Sequence, residues 1–292
     1  MDINHSIAIK RLRLLGVLIL LYIFTIVPDC PADQKNPPAS DCITKFETGT
    51  VNWTTGMITA SGKASPADQS PESKESVSLS ARAEAVKNII DTLKQIKINN
   101  ELTVNDYASE SFVILAGLEK TARDAGVSKQ VYTSALAVEI TIETIMFGGF
   151  LQLVLPEEIR QIPKINPEIN PEIVPGIGKS LYSGLIIDAR GLGIEPVLDP
   201  VIVSEQGHEV YSSVFISREF AVQSGICKYV CNLDQALQDK RIGDNPMILK
   251  GLRKEGSKNA TLVISMSDYL ALEKTTERHT FLNECRVIIV RD

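Results

Sequence analysis

Between Ile162 and Gly178 the chain reads IPKINPEINPEIVPGIG, with Pro163, Pro167, Pro171 and Pro175 recurring every four residues. Each proline lacks a backbone N–H and pushes the residue before it out of the helical region, so neither a helix nor a central strand can run through this stretch. An extended, polyproline-like connector is the remaining option. The sequence therefore predicts a chain in two halves, with the connector at 161–179, an α+β domain at 49–160 and a mixed α/β domain at 180–292.

In the first half, Val51 to Gly62 (VNWTTGMITASG) reads as two short strands meeting at Thr55-Gly56. Leu79, Ala83, Val86, Ile90 and Leu93 recur at spacings of four and three, which predicts one face of a helix of about twenty residues. Ala108 to Thr121 gives a second, weaker helix, and Phe150 to Ile159 a short amphipathic segment. Leu136, Val138, Ile140 and Ile142 alternate with Ala137, Glu139, Thr141 and Glu143, the period of a half-buried antiparallel strand. The fold class expected is α+β: a β-hairpin, helix and antiparallel sheet, then a Pro-rich connector, then a mixed domain.

In the second half, strands are predicted over Leu181–Asp188, Val197–Ser204, Glu209–Ser213, Thr261–Ser265 and Arg286–Val290. Ser217 caps a helix ending at Gly225. Asn245-Pro246 reads as a cap and a first-turn proline, opening a helix to about Lys254 with Gly256 as its stop. Another helix is predicted over Asp268–Arg278.

The N-terminus carries a different signal. Lys10, Arg11 and Arg13 precede Leu14 to Val27, an unbroken apolar run of 14 residues. As a helix it would span roughly 21 Å against a hydrocarbon core of roughly 30 Å. Pro28 breaks it, and Cys30-Pro31-Ala32 supplies small residues for cleavage. Residues 1–32 are therefore read as a signal peptide and 33–48, rich in Pro, Ser, Asp and Lys, as a flexible segment. A retained anchor is the alternative, and the membrane is expected to be touched only there. Lipidation at Cys30 is a further option, although Asp29 occupies the place where a lipoprotein signal has a small residue.

Export bears on the cysteines. Beyond the leader four remain, Cys42, Cys227, Cys231 and Cys285. An even count in an oxidising compartment permits two disulfides, and the spacing does not decide which residues pair. The C-x3-C pair Cys227/Cys231 is neither a redox C-x-x-C nor a usual zinc pair, and with three histidines in the chain no metal site is expected. The formal net charge of −6, without a Lys/Arg block after the leader, argues against nucleic-acid binding.

Few residues suggest chemistry. Gly176-Ile177-Gly178-Lys179-Ser180 resembles the end of a phosphate loop, but Ile173 occupies the place of the first glycine. No Gly-x-Ser-x-Gly elbow is present in the sequence. The sharpest local signature is Asp188-Ala189-Arg190-Gly191-Leu192-Gly193, which follows a strand. Asp188, Arg190, Gly191 and Gly193 either place an ion pair beside an anion-accepting turn or form a structural clamp. No cofactor is expected.

The leader, the Val51-Asn52-Trp53…Gly56-Met57-Ile58-Thr59-Ala60-Ser61-Gly62 hairpin and the helix around Ala81-Arg82-Ala83-Glu84-Ala85 resemble the small LPP-type surface lipoproteins of bacteria. They also resemble the N-terminal domain of the flagellar assembly protein FlgT. Tyr182 to Gly193, Ser217-Arg218-Glu219-Phe220 and Phe281 to Val287 look like extended members with a second domain. The resemblance implies an envelope protein, lipid-anchored or tied to flagellar basal structures, and carries over no catalytic residue. The expectation is a non-enzymatic exported protein, periplasmic or outer-membrane-associated, contacting envelope proteins or its own copies. An envelope hydrolase or small-ligand binder with its site near Asp188 and Arg190 is the alternative.

Overall fold

The computed structural model of the protein describes residues 41–66, 74–133, 137–156, 159, 182–256, 258–275 and 278–292. The signal-peptide stretch 1–32 with Cys30, and the connector at 161–179, lie outside the described residues. The fold is α+β, with two sheets and helices packed on them.

The first sheet contains β1 (Ile43–Lys45), β2 (Thr50–Asn52), β3 (Met57–Ala64), β4 (Gly126–Tyr132) and β5 (Val138–Ile145), in the order β1-β2-β3-β5-β4. All pairings are antiparallel. Period-two alternation gives it two unlike faces. Ile58, Ala60, Val138, Ile140 and Ile142 are buried. The other face carries cross-strand polar pairs: Thr50 with Thr59 at 2.6 Å, Ser61 with Thr141 at 2.8 Å, and Lys63 with Glu139 at 3.5 Å.

Helix α1 (Lys74–Gln95) covers the apolar face. It meets the sheet through Val77, Ala81, Ala85, Ile89, Thr92 and Leu93; of the predicted stripe Leu93 is buried and Val86 and Ile90 pack partly buried at the margin, while Leu79 is 69% exposed. The reason lies in β3. A Cβ on Gly62 would collide with the Ala81 carbonyl oxygen and the Ala85 nitrogen, so the helix backbone rests directly on the strand. Only a line of alanines permits that approach. Gly62→Ala is accordingly expected to cost about 1–3 kcal/mol by overpacking. Urea denaturation checks this, with a lowered midpoint at unchanged slope.

The predicted helix at 108–121 is two helices, α2 (Val104–Glu110) and α3 (Phe112–Arg123). Thr103 and Asp106 form a capping box for the first, and the Ser111 hydroxyl accepts from the Ile114 N–H to start the second. A further helix, α4 (Gly149–Val154), follows the sheet.

The second sheet has seven strands. They are β6 (Gly184–Asp188), β7 (Val201–Ser204), β8 (Glu209–Tyr211), β9 (Lys228–Val230), β10 (Pro246–Glu255), β11 (Lys258–Ile264) and β12 (Val287–Val290). Their order is β8-β7-β11-β10-β6-β12-β9. β6 lies parallel between β10 and β12, and all five of its residues are buried, as a continuous apolar run in a two-sided parallel sheet requires. Helix α5 (Arg218–Ser224) ends on Gly225 as its sequence predicts, and α6 (Leu233–Leu237), α7 (Met266–Glu273) and α8 (Arg278–Asn283) complete the domain.

Two sequence-based expectations are corrected here. The predicted helix from Asn245-Pro246 is strand β10: Met247, Leu249 and Gly251 are buried while Ile248, Lys250 and Leu252 are exposed. Pro246 is its first residue, where a missing N–H is tolerated. The stretch 33–48, expected to be flexible, contains β1 and the buried Cys42.

Both sheets belong to one compact unit, Ala39–Asp292, and share one hydrophobic cluster. The Cys42–Cys231 disulfide ties them together across 189 residues of sequence. Beside it, the rings of Trp53 and Tyr229 meet edge to face at 5.7 Å, and the Thr54 hydroxyl donates to the Tyr229 carbonyl at 3.1 Å. Further along the seam the N–H groups of Leu198 and Asp199 donate to the carbonyls of Lys97 and Ile98.

Candidate functional site

Asp188 ends β6, an interior strand of the parallel part of the sheet, whose carboxyl edge is the usual place for ligands in such sheets. Arg190 folds back from the following turn and donates bidentately to the Asp188 carboxylate, Nε to Oδ1 at 2.8 Å and Nη2 to Oδ2 at 2.9 Å. The Arg190 N–H adds a third bond at 3.2 Å. Lys250, in register with Asp188 on the parallel neighbour β10, supplies a fourth through Nζ at 3.1 Å.

Four donors on one carboxylate, Arg190 first among them, hold its pKa well below the ordinary aspartate range. The carboxylate is only 12% exposed, while the Arg190 and Lys250 side chains are 44% and 59% exposed.

The glycines shape the turn. Gly191 has φ +80° and Gly193 φ +60°, conformations open to glycine at low cost. The Gly191 N–H, the donor that could take an external anion, points at the Asp292 carboxylate, 2.8 Å from Oδ2 and 3.0 Å from Oδ1. The Gly193 carbonyl accepts from Lys254 Nζ at 3.3 Å. All four residues singled out in the sequence thus come together: two cations, Arg190 and Lys250, stand against the Asp188 carboxylate, and the Gly191 N–H holds that of Asp292. The arrangement works as a clamp that fixes the β6 turn against β10 and the strand end at Asp292.

Asp188→Ala is expected to lower stability by about 1–2 kcal/mol, a modest cost because both cations stay substantially solvated. The depressed folded-state pKa means that this contribution is complete above about pH 4 and drains away as the pH falls further. Wild type and Asp188→Asn should therefore converge in denaturant midpoint in strong acid and separate at pH 7.

Of the four cysteines, Cys42 and Cys231 are bonded, with Cα atoms 5.4 Å apart, whereas Cys227 and Cys285 are free. Burial pushes the Cys227 thiol up to about 12 and the Cys285 thiol up to about 11, so neither forms a thiolate at neutral pH. Among the described residues, no group of three or more His, Cys, Asp or Glu side chains is placed to hold a metal. No helix among them is long and apolar enough to cross a membrane.

Three features lacked a sequence signal. Asp199 is 8% exposed, its Oδ1 has no hydrogen-bond partner among the described residues, and burial lifts its pKa to about 6 against the lowering influence of Ser213. A cleft of about 410 Å³ opens at the seam between the sheets, with Phe46, Trp53, Lys97, Glu195 and Arg291 in its wall. Lys97 and Glu195 are ion-paired there, beside Arg291. A second groove, of about 420 Å³, runs between α1 and β4.

The C-terminal sheet defines a mixed α/β domain whose carboxyl edge is closed by its own ion pairs. Residues 184–292, from the first residue of β6 onward, match the family model described as the second domain of Treponema pallidum Tp0624. No curated protein matches the chain.

Proposed function

We propose that this is an exported bacterial envelope protein that acts by protein–protein contact and not by catalysis. The observation that carries the reading is the Cys42–Cys231 disulfide, which ties the strand region behind the leader to the second sheet. Such a bond persists in an oxidising compartment and is rare in a reducing cytosol. The saturated Asp188 clamp is further support, because a carboxylate with four donors is poorly placed as an acid, base or nucleophile. That the partners belong to the envelope or the flagellar base is part of the proposal, and rests on the resemblance of the first half to LPP-type lipoproteins and the FlgT N-terminal domain.

Cell fractionation followed by intact-mass measurement tests this. The expected product has lost residues 1–32, keeps the Cys42–Cys231 bond, and gives a discrete adduct on cross-linking in cells. A reduced, full-length cytosolic protein, or the absence of any envelope adduct, would sink it.

A further inference from the structure

The β4 edge carries an inference that rests on the proposed contact function and gives it a location. β4 is the terminal strand of the first sheet; it pairs with β5 on one side only, and all seven of its residues are exposed. Its outer side therefore presents a row of backbone donors and acceptors with no strand against it among the described residues. Natural edges are usually shortened, covered or heavily charged. This one has a single charge, Lys129, and a bulge between Val127 and Lys129.

Alongside the edge lies the groove of about 420 Å³. Leu79, Val127, Tyr132 and the buried Ile140 give it an apolar floor, and Leu79 stands 69% exposed. Its charge is uneven. Lys74 and Arg82 line it with Glu75, and Lys129 projects from the strand itself; none of the three cations has a carboxylate partner among the described residues. On a chain of net charge −6, the groove side of the edge thus has two cations against one carboxylate, and the other face of the strand has Lys129.

We infer that β4 is a docking edge for an extended peptide segment of a partner protein, one in which apolar and acidic residues alternate. Added beside β4, such a segment gains main-chain hydrogen bonds along the strand. Its apolar side chains enter the groove and its carboxylates, on the opposite face, meet Lys129. The bulge is what separates the faces: Val127, Gln130 and Tyr132 line the groove, which leaves Lys129 and Val131 on the other side. A second copy of this chain fits poorly. Two-fold pairing of β4 about Lys129 sets like charges directly opposite.

The test uses the full chain recovered in oxidised form and a labelled, end-capped ten-residue peptide alternating valine and glutamate, with a valine–lysine peptide as control. Fluorescence anisotropy should show binding of the acidic peptide only. The Lys129→Glu variant should weaken it about tenfold or more, and Leu79→Ala, at an exposed helix position, should weaken it with an unchanged denaturation midpoint. Amide exchange at residues 126–132 should slow when the acidic peptide is added. No binding at millimolar peptide, binding indifferent to charge reversal, or binding without slowed exchange in β4 would each overturn the inference. So would a dimer whose β4 amides are already protected without peptide. A photo-cross-linker at Tyr132, compared with one at Leu237 on the second domain, separates the two levels. Adducts from Leu237 alone defeat the β4 site and leave the contact function standing, whereas adducts from neither defeat both.

Discussion

Replacing Cys42 or Cys231 by serine is expected to lower the stability of the protein by about 4–5 kcal/mol, the largest loss foreseen for any single change. The bond closes a sequence separation of 189 residues, and in the chain-entropy account the gain grows with the logarithm of the loop it closes. The native side is already well supported. Trp53 packs on Tyr229, Thr54 reaches the Tyr229 carbonyl, and the hydrophobic cluster is continuous through both sheets. The serine variants should therefore still fold, with a much lower denaturant midpoint. A reductant should bring the wild type down to the same midpoint and leave the variants unmoved. Equal midpoints for oxidised wild type and variants would show that the bond constrains nothing.

Asp199→Asn is expected to stabilise the protein at neutral pH by about 1–2 kcal/mol. Burial raises the folded-state pKa from 3.8 to about 6, so the ionised form is disfavoured in the fold. A carboxyl shifted upward costs nothing while it is protonated in both states. The cost grows between about pH 4 and pH 6 and is complete above that, with a ceiling of about 3 kcal/mol from the shift itself. Wild type should thus become more stable as the pH falls from 7.5 to 5, and Asp199→Asn should lack this gain. Paired urea titrations at the two pH values read the difference directly. A less stable Asn variant at pH 7.5 would mean that the ionised carboxylate is needed where it sits.

The residues that spoke clearly in the sequence were those whose environment is uniform along an element. Val138, Ile140 and Ile142 alternate because one face of β5 is wet, and β6 is apolar up to Ile187 because both of its faces are covered. Errors came where the environment changes or where punctuation misleads. In β10, Asn245-Pro246 and Gly256 imitate the ends of a helix, and the alternation of Met247, Leu249 and Gly251 was masked by Ile248 and Leu252 on the open face. β4 gave no signal because an edge exposed on both faces has no apolar period to show. In α1 the stripe of large side chains meets the buried line only at Leu93, because the close approach of Gly62 demands alanine at positions 81 and 85.

The site was legible in the same partial way. Asp188 and Arg190 form the ion pair that their spacing allows. Lys250 was hidden because its strand read as a helix, and the Asp292 carboxylate on Gly191 is a contact 101 residues away in sequence. Cys42 found Cys231 because β1 sits at the seam, a fact of three-dimensional packing that no spacing encodes.

The position of β12 has a consequence for the order in which this chain can become a protein. Residues 287–290 form the strand that lies between β6 and β9, so the parallel centre of the sheet has a gap until that segment arrives. β6 and β9, with the buried Ile186 and Val230, wait without this partner strand. Such non-local closure is slow, because the loop entropy is spent before the contacts reward it. The β6 and β9 flanks of the second sheet therefore join only when the last strand is in place, whereas the first sheet, complete by residue 145, does not depend on it.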